Sequence, residues 1–367
     1  MQQRNSPDLP LLSLAVALLF VGMLILASVS VSFSLQNTGT TFYYLNHQLL
    51  LGLLPGLVAA TIAFFTPLPF IRKMSLWFLL FCIFLLALVF VPGIGSGETG
   101  GAHRWLSAGP FSFQPAELLK VAFVLYLASW LSAKKKRRQE NTKETLLPFA
   151  AMMGVVSLFL ILQPDIGTLA VIAATGLTMY FLAGTPLWHA ATLVGIGLLA
   201  LGGLVLIAPY RFSRFAVFLN PSLDPLGQGY QVKQALIGIG SGGLAGAGLG
   251  LSFQKFGVLP EPISDSIFAV FAEETGFLGG LLLIGLIVAF AWRGLIVSKR
   301  VLSDQFASLA AAGIVSWIFL QSAVNIAAMI GLLPLTGIPL PFVSYGGSAL
   351  FSELLAVGIL LNISKEA

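Results

Sequence analysis

Charge is what this chain has least of. Only 9% of its 367 residues are Asp, Glu, Lys or Arg, against about a quarter in an ordinary soluble domain, while 57% are hydrophobic. So little charge excludes a water-soluble enzyme and leaves no stretch from which a sizeable aqueous domain could be built. The one cysteine, Cys82, lies in an apolar run, which excludes disulfides and cysteine-ligated metals and reads as a small core residue. His47, His103 and His189 fall in three separate segments with no HExxH-type pairing, so no zinc site is expected. The net charge of +5 does not point to nucleic acid, because the cations sit where membrane topology would put them.

What the chain has instead is long apolar runs. A helix crossing a hydrocarbon core of roughly 30 Å needs about 20 apolar residues. Runs of that kind occur at 11–33, 48–65, 75–92, 113–132, 146–163, 166–183, 187–208, 266–292, 305–330 and 347–363. The first is too long for a cleaved signal and lacks a small-residue cleavage site, so it reads as a retained helix. The expectation is an all-α polytopic membrane protein, one domain over 1–367. It has about ten transmembrane helices, a large extracytoplasmic loop between helices 7 and 8 (209–265), and smaller outer loops at 92–112 and 331–346. With the N-terminus inside, 13 of the 19 Lys and Arg are cytoplasmic, five are outside and Lys120 is within a span, as the positive-inside rule asks. Both termini are then cytoplasmic. The run Lys134–Arg138 reads as a topology anchor, with protein docking the alternative.

The polar residues gather at the outer loops. GETGGAHRWLSAGPFSFQPAELLK carries Trp105 and Phe111 in an amphipathic mixture suited to the interface. It leads into a span where Glu117 and Lys120 share one helix face; inside a membrane they are either paired or facing a wet cavity. QPDIGT sets Gln163 and Asp165 at a tight turn, where Asp165 is a functional acid or simply a helix cap. GIGSGGLAGAGLG lacks the strand and GK[ST] of a phosphate loop, so its glycines read as close backbone approach or a re-entrant turn. Pro334, Pro339 and Pro341 forbid regular helix, and Ser344, Gly346, Gly347 and Ser348 precede a span containing Glu353; backbone amides there could meet an anion.

The richest stretch is FQKFGVLPEPISDSIFAVFAEETGF, residues 253–277. Lys255, Glu261 and Asp265 lie within about ten residues among Pro260 and Pro262, which stop the chain being helical. Asp265 sits where an apolar run begins. The helix N-terminus favours its anion and the low dielectric opposes it, which makes a tunable base. The plainer alternative is that Ser264 or Asp265 is an N-cap.

Five blocks, HRWLSAGPFSFQPAELLKVA, QPDIGT, YRFSRFAVFLNPSLDPLGQGYQVKQALIGIGSGGLAGAGLG, LPEPISDSIFAVFAEETGF and GLLPLTGIPLPFVSYGGSAL, resemble the signature blocks of the bacterial SEDS proteins (shape, elongation, division and sporulation: FtsW, RodA, SpoVE). They run in family order, and the resemblance covers nearly the whole chain from about residue 10. NPSLDPLGQGYQ and the glycine-rich ending look more like the division-type members than the rod-shape ones. The resemblance implies a peptidoglycan glycosyltransferase of the bacterial cytoplasmic (inner) membrane, polymerising lipid II at the outer face for cell division or cell shape. It also implies a class B penicillin-binding protein as transpeptidase partner, alongside other divisome or elongasome proteins, and no nucleic acid. The family's essential aspartate corresponds to Asp265. The usual spelling PEAHTDF is PEPISDS here, so neighbouring contacts differ while the acid is kept. Other functional positions of the family correspond to Arg104, Glu117, Lys120, Gln163, Asp165, Ser344 and Gly347.

In such a reaction Asp265 would take a proton from the acceptor sugar's 4-hydroxyl, and Arg104, Lys120, Arg211, Arg214 or Lys255 would receive the charge of the departing pyrophosphate. A divalent cation, Mg²⁺ or Mn²⁺, bridging Asp265 or Glu261 to the pyrophosphate would serve the same end, though no motif demands it. Inversion at the donor carbon needs one carboxylate only. The rival class is a lipid II flippase with Glu117, Lys120, Asp165 and Glu353 as a polar track. A non-catalytic scaffold would leave the intramembrane charges unexplained.

Overall fold

The computed structural model describes residues 6–99, 102–108, 111–133, 142–207 and 215–367. The helices follow from the apolar runs: α1 (Leu9–Thr38), α2 (Tyr43–Phe65), α3 (Leu68–Leu88), α4 (Pro115–Ser132), α5 (Thr142–Leu162), α6 (Ile166–Leu182), α7 (Leu187–Ile207), α8 (Gln228–Ser241), α9 (Ile267–Arg300), α10 (Gln305–Met329) and α11 (Gly347–Ile363). Among the described residues eight helices are long and apolar enough to cross a membrane; α6 and the start of α7 are shorter apolar stretches at the sixth and seventh expected positions. α3 begins at Leu68, seven residues before the expected 75, because Arg72 and Lys73 extend the helix at its end instead of terminating it. Long cationic side chains there can carry their charge out to water.

Three helices make the centre. In α4, α10 and α11 78% of the best apolar window is buried inside the molecule, against 22% in α2. Shielded from lipid, they can carry Lys120, Gln321, Asn325 and Glu353, which would be costly on a lipid-facing helix. Small residues bring the helices together. A side chain on Gly358 of α11 would collide with the backbone of Ala60 in α2, and one on Gly313 of α10 with Met179 and Val124, the close packing expected where no hydrophobic effect drives helices together.

One end of the bundle carries the extra structure. Between α3 and α4 the chain forms an antiparallel sheet in the order β1 (Gly95–Thr99), β2 (Ala102–Ala108) and β3 (Phe111–Phe113), with Leu106 opposite Phe113 and Ser107 opposite Ser112. The alternation His103, Arg104, Trp105, Leu106 suits a strand with two unlike faces; an amphipathic loop was expected there. The expected 209–265 loop contains α8, and its last part, 242–265, is pinned to α9. The amides of Ala247 and Gly248 donate to the carbonyls of Glu273 (2.9 Å) and Glu274 (3.0 Å), and that of Phe277 to Gly243 (2.9 Å). These bonds exist because α9 breaks at Gly276, with φ +69°, where a side chain would strike Gly246. The glycine string is thus a close-approach element. The opposite end is clamped by Asp8, which caps α1 and accepts a two-pronged bond from Arg293 (2.9 and 2.8 Å).

Candidate functional site

Asp265 stands two residues before α9, after a segment that cannot be helical. Glu261, between two prolines, adopts a left-handed conformation (φ +50°), and its carboxylate accepts from the Ser264 hydroxyl (2.8 Å). The N-cap position belongs to Ser266 and no side chain caps the helix, so neither Ser264 nor Asp265 spends its oxygen on capping. The Asp265 backbone is held firmly. Its carbonyl accepts from Asn325 of α10 (2.8 Å), which also donates to Ile338 (2.9 Å). Just before it, the Ile263 carbonyl accepts from the Tyr345 amide (2.8 Å) and the Ser264 carbonyl from the Ser344 hydroxyl (2.5 Å).

The Asp265 side chain is almost free. Oδ1 has no hydrogen-bond partner, and Oδ2 has only a long contact from Gln231 of α8 (3.5 Å). Burial, and then the neighbouring Glu261 charge, push its pKa up from 3.8 to about 7, against smaller opposing pulls from Gln231 and the backbone amides of Asp265 and Ser266. It lines a cavity of about 790 Å³, bounded by α2, β2, β3, the segments 261–265 and 337–346, and the head of α11. Arg104, Glu261 and Gly347 line the same cavity. Arg104 reaches it from β2, with Nε on the Gln163 carbonyl (3.0 Å) and Nη2 on that of Pro164, so Nη1 is uncommitted to these two carbonyls. On the membrane side the walls are apolar: Leu50, Leu51, Pro55 and Phe351.

The remaining sequence candidates lie elsewhere. Glu117 and Lys120 form a buried ion pair (2.8 Å), each only 2% exposed, and Lys120 donates to Gln321 (2.6 Å) with its ammonium over the Trp317 ring (5.1 Å). Of their two readings, the structure has the pair. Gln321 passes the connection upward by donating to the Pro339 carbonyl (2.9 Å). Gln163 is fully buried and bonds Leu86 (3.1 Å), and Asp165 caps α6 through the Thr168 amide (3.1 Å). Ser344 is spent between Leu340 and Ser264. Lys255 is not an available cation: its ammonium is buried against Glu274 (2.9 Å), which also accepts from Ser28 of α1 (2.6 Å). Arg211 and Arg214 lie outside the described residues, as does Lys134–Arg138.

Sequence reasoning passed over several residues of this site. Gln231 and Asn325 hold the Asp265 segment, Trp105 lines the cavity, and His47 and Tyr345 line it as a hydrogen-bonded pair (2.9 Å). A polar residue inside an otherwise apolar span was the available signal for Asn325. For His47, sequence spacing offered none, because its partner is 298 residues away.

Among the described residues no three His, Cys, Asp or Glu lie together as a metal cage. Two carboxylates, Asp265 with its unpartnered oxygen and Glu261 beside it, do line the cavity, which suits a hard cation shared with an anionic ligand and not one held by protein alone.

Comparison with known proteins bears on the family and the fold. A family model described as cell cycle protein, of the FtsW, RodA and SpoVE group, matches residues 9–367. Stage V sporulation protein E of Bacillus subtilis is 41% identical over 99% of this chain and 98% of its own length. A probable peptidoglycan glycosyltransferase FtsW of Thioalkalivibrio sp. is 40% identical over 99% of this chain and 91% of its own. Among solved structures, a chain from work on structural coordination of polymerization and crosslinking by a peptidoglycan synthase complex superposes with a TM-score of 0.78 at 27% identity, over 98% of this chain and 97% of that one. The rod shape determining protein RodA of Thermus thermophilus superposes at 0.69 with 25% identity, over 98% and 96%.

Proposed function

The chain belongs to the FtsW, RodA and SpoVE family of cell cycle proteins, and from that membership together with the Asp265 cavity we infer that it is a multi-pass membrane enzyme, a peptidoglycan glycosyltransferase. The observation that carries the reading is a half-buried carboxylate with one oxygen unpartnered, facing a cavity with an apolar membrane side. That is what a lipid-linked sugar substrate requires.

In the finer reading the substrate is lipid II. The acceptor's 4-hydroxyl gives its proton to the Asp265 carboxylate as its oxygen attacks the donor's anomeric carbon, and the pyrophosphate leaves with the bonding pair. A base with a pKa of about 7 is half ionised at neutral pH, which suits proton abstraction there. The departing charge falls to Arg104 and the head of α11 at Gly347, which line the cavity. Lys120, Lys255, Gln163, Asp165 and Ser344 act at one remove, by holding the loops. Asp265 and Glu261 would hold a divalent cation if one takes part, and its chemistry would be to neutralise pyrophosphate oxygens. The relative solved within a peptidoglycan synthase complex supports a class B penicillin-binding protein as partner.

The flippase reading loses its track. Glu117 is tied to Lys120, Asp165 caps a helix, and the buried Glu353 accepts from the Phe342 amide (2.8 Å). None of them lines the cavity. Proteoliposomes given labelled lipid II separate the two: the enzyme converts it to glycan strands, whereas movement between leaflets without polymer would reject the glycosyltransferase.

A further inference from the structure

The cavity wall made by α2 carries polar groups that the reaction above leaves unused. His47 and Tyr345 both line the cavity, and the His47 Nδ1 lies 2.9 Å from the Tyr345 hydroxyl. The pair is built rather than incidental. The ring of Tyr43 stacks on His47 (6.1 Å, 29°), and that of Tyr44 meets Tyr345 edge-on (5.0 Å, 82°). The neighbour Gln48 grips the same turn: its Oε1 accepts from the Gly346 amide (2.9 Å) and its Nε2 donates to the Ser344 carbonyl (3.5 Å). A π-type turn, Leu49–Leu53, follows at once, a distortion that often marks functional positions in helices.

We propose that His47 and Tyr345 are a recognition pair for an uncharged polar group on the substrate's sugar, a hydroxyl or an acetamido. The argument is one of proton counting. With the imidazole neutral, Tyr345 donates to Nδ1 and leaves Nε2–H as donor with the phenol oxygen as acceptor. In the other arrangement Nδ1–H donates to the phenol oxygen, which leaves the Tyr345 O–H as donor and Nε2 as acceptor. Either way the pair offers one donor and one acceptor to the cavity. A sugar hydroxyl or acetamido answers both. A pyrophosphate oxygen accepts only, and would leave the pair's acceptor facing an anion. This inference rests on the glycosyltransferase reading and adds to it the residues that tell the sugar from the lipid pyrophosphate.

The test uses the full chain in detergent or liposomes, the lipid-linked disaccharide as substrate, and the same polyprenyl pyrophosphate without sugars as competitor. Tyr345→Phe and His47→Ala should each raise KM about tenfold, the size of one good hydrogen bond to a neutral group. They should leave kcat within about threefold, and the double variant should cost little more than either single one, since the two act as one unit. The sugar-free lipid should compete equally well against wild type and variants. An unchanged KM would overturn the proposal, as would a parallel loss of affinity for the sugar-free lipid, which a merely structural pair would produce. Tyr345→Phe keeps the ring and its packing, so it carries the test should His47→Ala not fold. Equilibrium binding of the same two lipids needs no turnover. A chain that bound the disaccharide lipid through this pair yet made no polymer would contradict the glycosyltransferase reading alone.

Discussion

Leaving a carboxylate oxygen without a partner inside a protein is costly, and Asp265 bears that cost while the carbonyls of Ile263, Ser264 and Asp265 are each fastened by a hydrogen bond. Its raised pKa has two measurable consequences. As a base it must be ionised, so kcat/KM for strand synthesis should climb about tenfold per pH unit below about 7 and level off above it. For stability the sign is opposite. A carboxyl whose pKa rises from 3.8 to about 7 on folding holds a proton that the unfolded chain releases. Its contribution is therefore fully present below pH about 3.8 and is lost as pH climbs through about 7. Asp265→Asn should raise the unfolding temperature at pH 8, with the gain shrinking towards pH 4. A variant less stable than wild type at pH 8 would mean the ionised carboxylate is well solvated or paired. The sequence marked Asp265 as an acid among prolines at the mouth of an apolar run, a base or simply an N-cap, and only the fold shows that no side chain caps the helix. It did not mark His47, whose partner arrives from the far end of the chain.

At the scale of elements, the buried residues of α10 matter as much as the acid. Asn325 and Gln321, one turn apart, hold the Asp265, Ile338 and Pro339 carbonyls. Asn325→Ala would strand two of those groups, at about 1–3 kcal/mol each, so unfolding temperature and kcat should fall together, and an unchanged kcat would show the loop holding itself. The pair on α4 makes a second test. Lys120→Ala leaves Glu117 buried and uncompensated and should cost about 3–5 kcal/mol, whereas Glu117→Gln with Lys120→Met should cost clearly less; equal losses in denaturation would contradict the pair. Spacing put Glu117 and Lys120 on one face but could not say whether they met each other or water. The deciding residue, Gln321, is 201 positions from Lys120. Lys255 failed as a site residue for the same reason, since Glu274 and Ser28 capture it only in the folded bundle. Helix positions were largely readable because apolar length is a local property. The three-stranded sheet was not, because β1 and β3 are short and β1 meets β2 through register shifts around Gly97.

At the scale of the whole molecule, the cation bias leads us to propose that the Asp265 end of the bundle faces outside and both termini inside. Cys82 is fully buried, so single cysteines can report topology against a quiet background. Leu226→Cys should react with a membrane-impermeant maleimide on intact cells, and Ser303→Cys only after lysis; the reverse would invert the orientation and remove the base from the outer leaflet. The central claim is that one carboxylate turns this helical bundle into a polymerase. The most direct measurement is gel-resolved glycan synthesis from lipid II at pH 8 by wild type and Asp265→Ala in the same liposomes. The account predicts strands from the first and a loss of at least about a hundredfold from the second, with an unfolding temperature no lower than wild type; strands of equal yield from the variant would contradict it.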